Sequence, residues 1–161
     1  MTLTTFEMKE EAARNEAALQ QKAPVWIVDD DRAIRWVLSK ALSKASISSR
    51  SFERAQDVLD ALMSASASGN ATDLPLVLVS DIRMPGMTGV ELLERVKALA
   101  PALPVIIMTA FTDLESAVSS FQGGAFEYLT KPFDVTKAVE LIRRAMDESA
   151  MRRDAAKTEA L

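Results

Sequence analysis

Five short apolar runs, each followed by apolar residues at helical spacing, divide most of this chain into repeated strand–helix units. The predicted strands cover residues 25–28, 46–52, 76–80, 105–108 and 128–130. The predicted helices have their apolar faces within 34–42, 55–62, 92–99, 114–121 and 135–146. Strict alternation of this kind requires parallel strands joined by right-handed crossovers, because each helix must pack back onto the sheet.

The alternation predicts an α/β fold, a (βα)5 three-layer sandwich of the flavodoxin-like type. We adopt the strand order 2-1-3-4-5 that is usual for five-stranded sheets of this class. The predicted domain covers residues 23–149, with a small, polar surface loop at 64–73. Residues 1–22, rich in Ala, Glu, Gln and Lys, are expected to form an N-terminal arm that is helical or disordered. Residues 150–161 either extend the last helix or begin a linker.

The chain contains neither cysteine nor histidine. Disulfides, zinc–thiolate sites, thiol nucleophiles and histidine-based catalysis are therefore excluded. Any metal needs oxygen ligands, which favours Mg²⁺ or Mn²⁺. The net charge of −4 gives no electrostatic reason to expect direct binding of nucleic acid. No apolar run approaches the roughly 20 residues of a membrane span, and no secretory signal is recognisable, so we expect a cytoplasmic protein without membrane contact.

Polar side chains follow four of the predicted strands. Asp29–Asp31 follow the first strand, Asp81 the third, Thr109 lies at the end of the fourth, and Lys131 follows the fifth. Because the carboxyl ends of parallel strands meet at one edge, these groups should converge on one pocket. Three crowded carboxylates repel each other unless a cation lies among them, and Mg²⁺ relieves such repulsion. An aspartate there can act as a nucleophile and form an acyl phosphate, with Lys131 and Thr109 binding phosphoryl oxygens.

Simpler roles are expected for some of these residues. Asp31 by itself is typical of a helix N-cap, and Thr88 with Glu91 forms a capping-box pattern. Trp26 and Trp36 are assigned to packing. For Tyr128, a core or interface role and a switching role remain open from the residues alone.

Four segments resemble the receiver domain of two-component response regulators, and most closely the receivers of NtrC-type transcription activators. The resemblance covers about residues 24–148 and rests on VWIVDDDRAIRWVLSKAL, VSDIRMPGMTGVELL, PVIIMTAFTDLESAV and GAFEYLTKPFD.

The resemblance implies that Asp81 accepts a phosphoryl group from a histidine of a sensor kinase. It implies that Mg²⁺ is bound directly by Asp30, through water by Asp29, and by Asp81 and the backbone carbonyl of Arg83. On phosphorylation Thr109 would move towards the phosphoryl group, Tyr128 would change rotamer, and the helix at 112–122 would shift. The bond between Lys131 and Pro132 is expected to be cis. Arg83 and Phe111 are hypothesised to tune the rate at which water attacks the phosphate.

The same resemblance implies a role in sigma-54-type transcription activation for nitrogen regulation. NtrC-type activators carry an ATPase domain and a DNA-binding domain after the receiver, but these 161 residues contain no GxxxxGK[ST] motif. The output would therefore lie elsewhere in cis, or the chain is a stand-alone receiver that regulates a partner in trans. Self-association as a homodimer is a further expected output.

Two other classes of protein could share this topology. An aspartyl-phosphate phosphatase normally has a second acid two residues after the nucleophile, but Arg83 occupies that position. A flavin-binding fold needs a phosphate loop after the first strand, where three aspartates would repel a phosphate. We therefore expect a regulatory module whose only chemistry is its own phosphorylation and slow dephosphorylation.

Overall fold

The computed structural model of this chain describes residues 23–70, 73–110, 115 and 122–160, with side chains as far as residue 154. The strands are β1 (Val25–Val28), β2 (Ser49–Phe52), β3 (Val77–Asp81), β4 (Val105–Ala110) and β5 (Glu127–Lys131). The described helices are α1 (Arg32–Lys44), α2 (Ala55–Ala67), α3 (Gly89–Leu99) and α4 (Val135–Ala160). The predicted arm at 1–22 lies outside the described residues, and so does nearly all of the helix predicted at 114–121.

The five strands form one sheet in which every neighbouring pair is parallel. Their order is β2-β1-β3-β4-β5, which confirms the predicted order. In the central pair, Asp81 is opposite Met108, and in the next pair Ala110 is opposite Lys131. The carboxyl ends of β1, β3, β4 and β5 therefore lie side by side along one edge.

Apolar residues cover both faces of the sheet and make the three layers that the sequence predicts. On one face, α2 and α3 pack against alternate strand residues through Val58, Leu59, Leu62, Leu92, Leu93 and Val96. On the other face, α1 and α4 pack through Leu38, Leu42, Ala138, Ile142 and Ala145. Burying a side chain the size of leucine contributes about 1.5–3 kcal/mol relative to leaving it exposed.

Side-chain caps fix where two of the helices begin. The Asp31 carboxylate accepts the N–H of Ala33 at 2.9 Å, so Asp31 is the N-cap of α1, as predicted. The Thr88 hydroxyl accepts the N–H of Glu91 at 3.2 Å, and α3 begins at the following residue. These caps place the helix starts directly after the loops that follow β1 and β3.

Two details differ from the sequence-based expectations. Trp36 does not pack in the core; its side chain is 62% exposed, with Lys40 Nζ 5.9 Å from its ring centroid. Two helical residues correspond to a rotation of about 200°, so Trp36 lies nearly opposite Ile34, which contacts the core. The predicted surface loop at 64–73 is partly helical, because α2 continues to Ala67. Ala65 is buried there, and alanine and serine permit the extra turn.

No described helix is both long enough and apolar enough to cross a membrane.

Candidate functional site

Strand alternation brings the side chains of three predicted site residues to the same face of the sheet. Ile27, Val79 and Leu129 all contact the apolar cluster beneath α1 and α4. Asp29, Asp81 and Lys131 each lie two residues further along, so their side chains have the same orientation at the carboxyl edge. Three strands that are distant in sequence therefore supply one cluster.

Lys131 joins the two buried carboxylates of this cluster. Its Nζ donates to Asp29 Oδ2 at 2.9 Å and to Asp81 Oδ1 at 3.1 Å. Both carboxylates lie at the ends of central strands, and the ammonium group reaches them from the edge strand β5. The peptide bond between Lys131 and Pro132 is cis, as predicted.

Asp29 and Asp30 differ in how their carboxylates are used. Asp29 is fully buried, and its second oxygen accepts the N–H of Asp31 at 2.8 Å. Asp30 is exposed, and no hydrogen bond joins its carboxylate to another described residue. One carboxylate oxygen from each of Asp29, Asp30 and Asp81 lies within 4.8 Å of the others. Three close carboxylate oxygens, one of them on the exposed Asp30, fit a hard divalent cation such as Mg²⁺.

Burial and charge shift the pKa values of two groups at this site. Burial raises the pKa of Asp81 above its ordinary value, and the negative charge of Asp29 raises it further, while Lys131 acts in the opposite direction. For Lys131, burial lowers the pKa, but its hydrogen bonds and ion pairs with Asp29 and Asp81 outweigh burial and raise it overall. The Lys131 ammonium is thus held in its charged form between the carboxylates of Asp29 and Asp81, which still repel each other.

The two oxygens of Asp81 have different surroundings. Oδ1 accepts the Lys131 ammonium and also the N–H of Ile82 at 3.0 Å. Among the described residues, no hydrogen bond is donated to Oδ2. Asp81 is 8% exposed, so its carboxylate is fixed at the rim of the edge rather than free in solvent. Because one oxygen of this carboxylate is held by hydrogen bonds, the other oxygen can act as a nucleophile towards an electrophile.

The other predicted site residues lie around this cluster. Thr109 is buried on β4, one residue beyond the partner of Asp81, and its hydroxyl donates to the Ala110 carbonyl at 3.1 Å. Tyr128 on β5 is 37% exposed, and Arg83 is exposed in the loop after β3. Phe111 lies outside the described residues.

Gly89 is a site residue whose role the sequence did not reveal. A Cβ added to Gly89 would lie 2.3 Å from the Asp81 carbonyl oxygen and 2.9 Å from the Ile82 Cα. Its N–H donates to the Ile82 carbonyl at 2.7 Å. Only glycine allows the start of α3 to approach the backbone of Asp81 this closely. Its position eight residues after the strand-end aspartate, directly behind the Thr88 cap, is the signal that could have indicated it.

Comparisons with known proteins agree with this fold. The sequence model of the response regulator receiver domain matches residues 25–143. The DNA-binding transcriptional regulator NtrC of Klebsiella pneumoniae is 54% identical over 126 residues, which cover 78% of this chain and 25% of NtrC. This chain therefore spans about a quarter of the length of that curated relative.

Two solved structures of the NtrC receiver domain are also similar. The apo form has a TM-score of 0.66 and 49% sequence identity, and the alignment covers 80% of this chain and 97% of that chain. The BeF3-activated form has a TM-score of 0.64 and 52% identity, with the same coverage of both chains. The family match covers most of the chain and includes the whole carboxyl edge described above, and on that basis the chain belongs to the response regulator receiver domain family.

Proposed function

We propose that this receiver is a phosphorylation-controlled switch in which Asp81 accepts a phosphoryl group from a histidine of a sensor kinase. Phosphorylation of an aspartate is the general function of receiver domains. The observation that carries the proposal is the placement of Lys131, whose ammonium bridges Asp81 and Asp29 beside the exposed carboxylate of Asp30. A nucleophile, a fixed cation and a group of metal-binding oxygens are what phosphoryl transfer requires.

The surroundings of Asp81 assign roles to its two oxygens. Oδ1 accepts the Lys131 ammonium and the Ile82 N–H, so Oδ2 is the oxygen proposed to attack phosphorus, and Lys131 is proposed to bind a phosphoryl oxygen after the transfer. A new bond forms between Oδ2 and phosphorus as the bond between phosphorus and the donor nitrogen breaks. Dephosphorylation is a separate reaction in which water attacks phosphorus, the bond between phosphorus and Oδ2 breaks, and inorganic phosphate is released as the carboxylate is restored. Apart from this slow self-dephosphorylation we assign no catalysis, since a receiver is not a dedicated enzyme.

We propose that Asp30 and Asp81 ligate Mg²⁺ directly, together with the Arg83 backbone carbonyl, and that Asp29 acts through water. Both oxygens of the buried Asp29 already accept hydrogen bonds, which supports an indirect role, whereas Asp30 is exposed. A bound Mg²⁺, or Mn²⁺ in its place, neutralises charge that builds up on the phosphoryl oxygens. Burial and, after it, repulsion by Asp29 raise the pKa of Asp81, and such an ion would offset the repulsion.

The proposed response to phosphorylation begins at Thr109 and Tyr128. The Thr109 hydroxyl would exchange its bond to the Ala110 carbonyl for a phosphoryl oxygen, and the exposed Tyr128 ring would turn inward. The segment 112–122 would shift with them and alter an output surface. Arg83 and Phe111 are proposed to control the access of water to the phosphate.

The similarity to NtrC supports a role in nitrogen-regulated, sigma-54-type transcription activation. We propose a sensor histidine kinase as the upstream partner, in the cytoplasm. The downstream partner would be an ATPase and DNA-binding region in cis, or a separate protein in trans, with homodimer formation as one route of output. The receiver itself is assigned no direct contact with nucleic acid or membrane. The phosphatase alternative is disfavoured because Arg83 occupies the position where that class has a second acid.

The test is incubation with acetyl phosphate, with and without Mg²⁺, followed by intact-mass measurement. We expect a gain of one phosphoryl group that depends on Mg²⁺ and is absent from Asp81→Asn. The matched control is Asp31→Asn, because Asp31 caps α1 and asparagine caps equally well. A gain that persists in Asp81→Asn, or no gain in a folded wild-type protein, would refute the proposal.

A further inference from the structure

The last helix is anchored to the base of the sheet, the edge where the strands begin, by residues beyond the end of the family match at 143. Arg153 Nη2 donates to the carbonyls of Leu74 and Pro75 at 3.2 and 2.8 Å. Arg152 Nη1 donates to the Ala102 carbonyl at 3.3 Å. Ser149, just before them, is 5% exposed. We call residues 149–154 the base junction.

Both anchors attach to segments that lead into strands of the phosphorylation site. Leu74 and Pro75 directly precede β3, which ends with Asp81. Ala102 lies just before β4, which carries Thr109. The N–H of Leu78 donates to the Pro104 carbonyl at 3.1 Å and joins the beginnings of these two strands. The base junction therefore holds the opposite ends of the two strands on which the proposed switch depends.

Helix α3 provides a second connection between the site and the base. It begins at Gly89, against the backbone of Asp81, and ends beside the base junction. There Lys97 Nζ donates to the Leu103 carbonyl at 3.1 Å. Burial lowers the pKa of Lys97 below its ordinary value, and the positive charge of Arg152 lowers it further. The end of α4 therefore lies beside the end of α3, with which it lines one groove, as well as beside the beginnings of β3 and β4.

A surface groove adjoins the base junction. A mostly apolar groove of about 300 Å³ lies between Leu74, Leu99 and Leu103 on one side and Arg152 and Arg153 on the other. Beside this groove, Arg152 and Arg153 provide the hydrogen bonds that join the helix end to the beginnings of β3 and β4.

We propose that the base junction couples occupancy of the Asp81 site to the docking of the end of α4, with Arg153 and Arg152 as its anchors. This inference rests on the proposed function, because the ligand that is sensed is the phosphoryl group. Strands paired on both sides do not stretch, so a displacement of β3 or β4 at the site also displaces the carbonyls that the arginines bind. Coupling of this kind is reciprocal, so weakening the anchors must change the affinity of the site.

The experiment uses the whole chain with Mg²⁺ and BeF3⁻ as a stable mimic of the phosphoryl group. Amide hydrogen exchange of residues 147–160 reports docking, and fluorine NMR reports the affinity for BeF3⁻. In the wild type we expect BeF3⁻ to change exchange in the base junction by about threefold or more. Without BeF3⁻, Arg153→Gln should accelerate amide exchange in the base junction. It should also reduce the change in exchange that BeF3⁻ causes, and its affinity for BeF3⁻ should differ from that of the wild type by about the factor lost from that change. Arg153→Lys, which keeps a cationic donor, should restore most of both effects.

Arg143→Gln is the matched control. Arg143 lies on the same helix and donates to the Ala45 carbonyl at 3.2 Å, but that loop leads into β2, which carries no site residue. The control should keep wild-type affinity and wild-type exchange in the base junction. The coupling would be overturned if the wild type binds BeF3⁻ without any change of amide exchange in the base junction. It would also be overturned if Arg153→Gln binds BeF3⁻ with the same affinity as the wild type. Failure of the wild type to bind BeF3⁻ would instead refute the proposed function, and the coupling with it.

Discussion

The Cα of Gly89 lies so close to Asp81 that a Cβ there would come within 2.3 Å of the Asp81 carbonyl oxygen. Gly89→Ala must therefore displace α3 or the strand end. We expect a loss of about 1–3 kcal/mol in the free energy of unfolding, as for other overpacked sites. This loss would occur although alanine favours helix by about 0.5–1 kcal/mol. Urea denaturation measures the loss, and the rate of phosphorylation by acetyl phosphate should fall with it.

Gly69→Ala is a control that distinguishes the steric clash at Gly89 from the backbone strain of a non-glycine residue at positive φ. Gly69 has a φ of +71° but no heavy atom within 4 Å of an added Cβ, and it lies in the loop after α2. Its substitution should cost about 1–2 kcal/mol through backbone strain alone, and the phosphorylation rate should stay at the wild-type value. Equal loss of rate in both variants would show that the contact between Gly89 and Asp81 does not position the nucleophile.

Asp81→Asn should increase stability while it abolishes phosphorylation. Because the pKa of Asp81 is raised in the folded protein, its ionised form destabilises the fold, and a neutral amide of the same shape removes that penalty. In buffer with a chelator at neutral pH we expect a gain on the order of 1 kcal/mol in the free energy of unfolding. A less stable Asp81→Asn protein would contradict this interpretation.

The difference in the free energy of unfolding between Asp81→Asn and the wild type should increase with pH. Below the unfolded-state pKa of 3.8 the carboxyl is neutral in both states, so it contributes no difference. The wild type loses stability relative to the variant as the pH rises from there through the raised pKa of the folded state, and the difference is constant above it. Urea denaturation at a series of pH values measures this, and a difference that shrinks with rising pH would exclude it.

Lys131→Gln should have the opposite effect on stability. The substitution leaves the Asp29 and Asp81 carboxylates without their shared cation, so we expect a loss of about 1–3 kcal/mol at neutral pH. Because the pKa of Lys131 is raised, its stabilising effect is complete below its unfolded pKa of 10.5 and is lost as the pH rises through the folded value. The gap between wild type and variant should therefore narrow in alkaline buffer. A gap that does not depend on pH would mean that the ion pair contributes nothing.

Asp30→Asn should weaken Mg²⁺ binding with little change in stability. Asp30 is exposed and bonded to no described side chain, so the fold does not depend on its charge. We expect at least a roughly tenfold loss of Mg²⁺ affinity by isothermal titration calorimetry. Asp31→Asn should bind Mg²⁺ as the wild type does, because that carboxylate already caps α1. If both variants lose affinity equally, net charge and not ligation accounts for binding.

The fold could be predicted because its determining signals are local. Apolar runs that end in polar residues mark the strands, and alternate residues such as Ile27 and Val28 face opposite clusters as a parallel sheet requires. The same periodicity already excluded Trp36 from the apolar face of α1, so assigning it to packing gave too much weight to residue type. The opposite error was made at Ala65, which was assigned to a surface loop although it is buried in α2. Small residues in a polar segment distinguish poorly between helix and loop.

The site was partly predictable for a related reason. Residue type and strand position were enough to bring Asp29, Asp81 and Lys131 together, because parallel strands share a carboxyl edge. Sequence could not show which oxygen of Asp81 is bonded, nor that Gly89 touches its carbonyl. Both depend on distances of a few ångströms between segments whose separation only the folded chain defines.

The bond between Lys131 and Asp29 joins residues 102 positions apart, and the bond between Lys131 and Asp81 spans 50. During synthesis, the acceptor aspartate therefore leaves the ribosome well before the lysine that completes its pocket. A chain that ends before residue 131 contains the acceptor but not its cation, because β5, the edge strand that carries the cation, is the last strand in sequence. The lysine of the proposed acceptor site is therefore in place only once β5 has paired with β4.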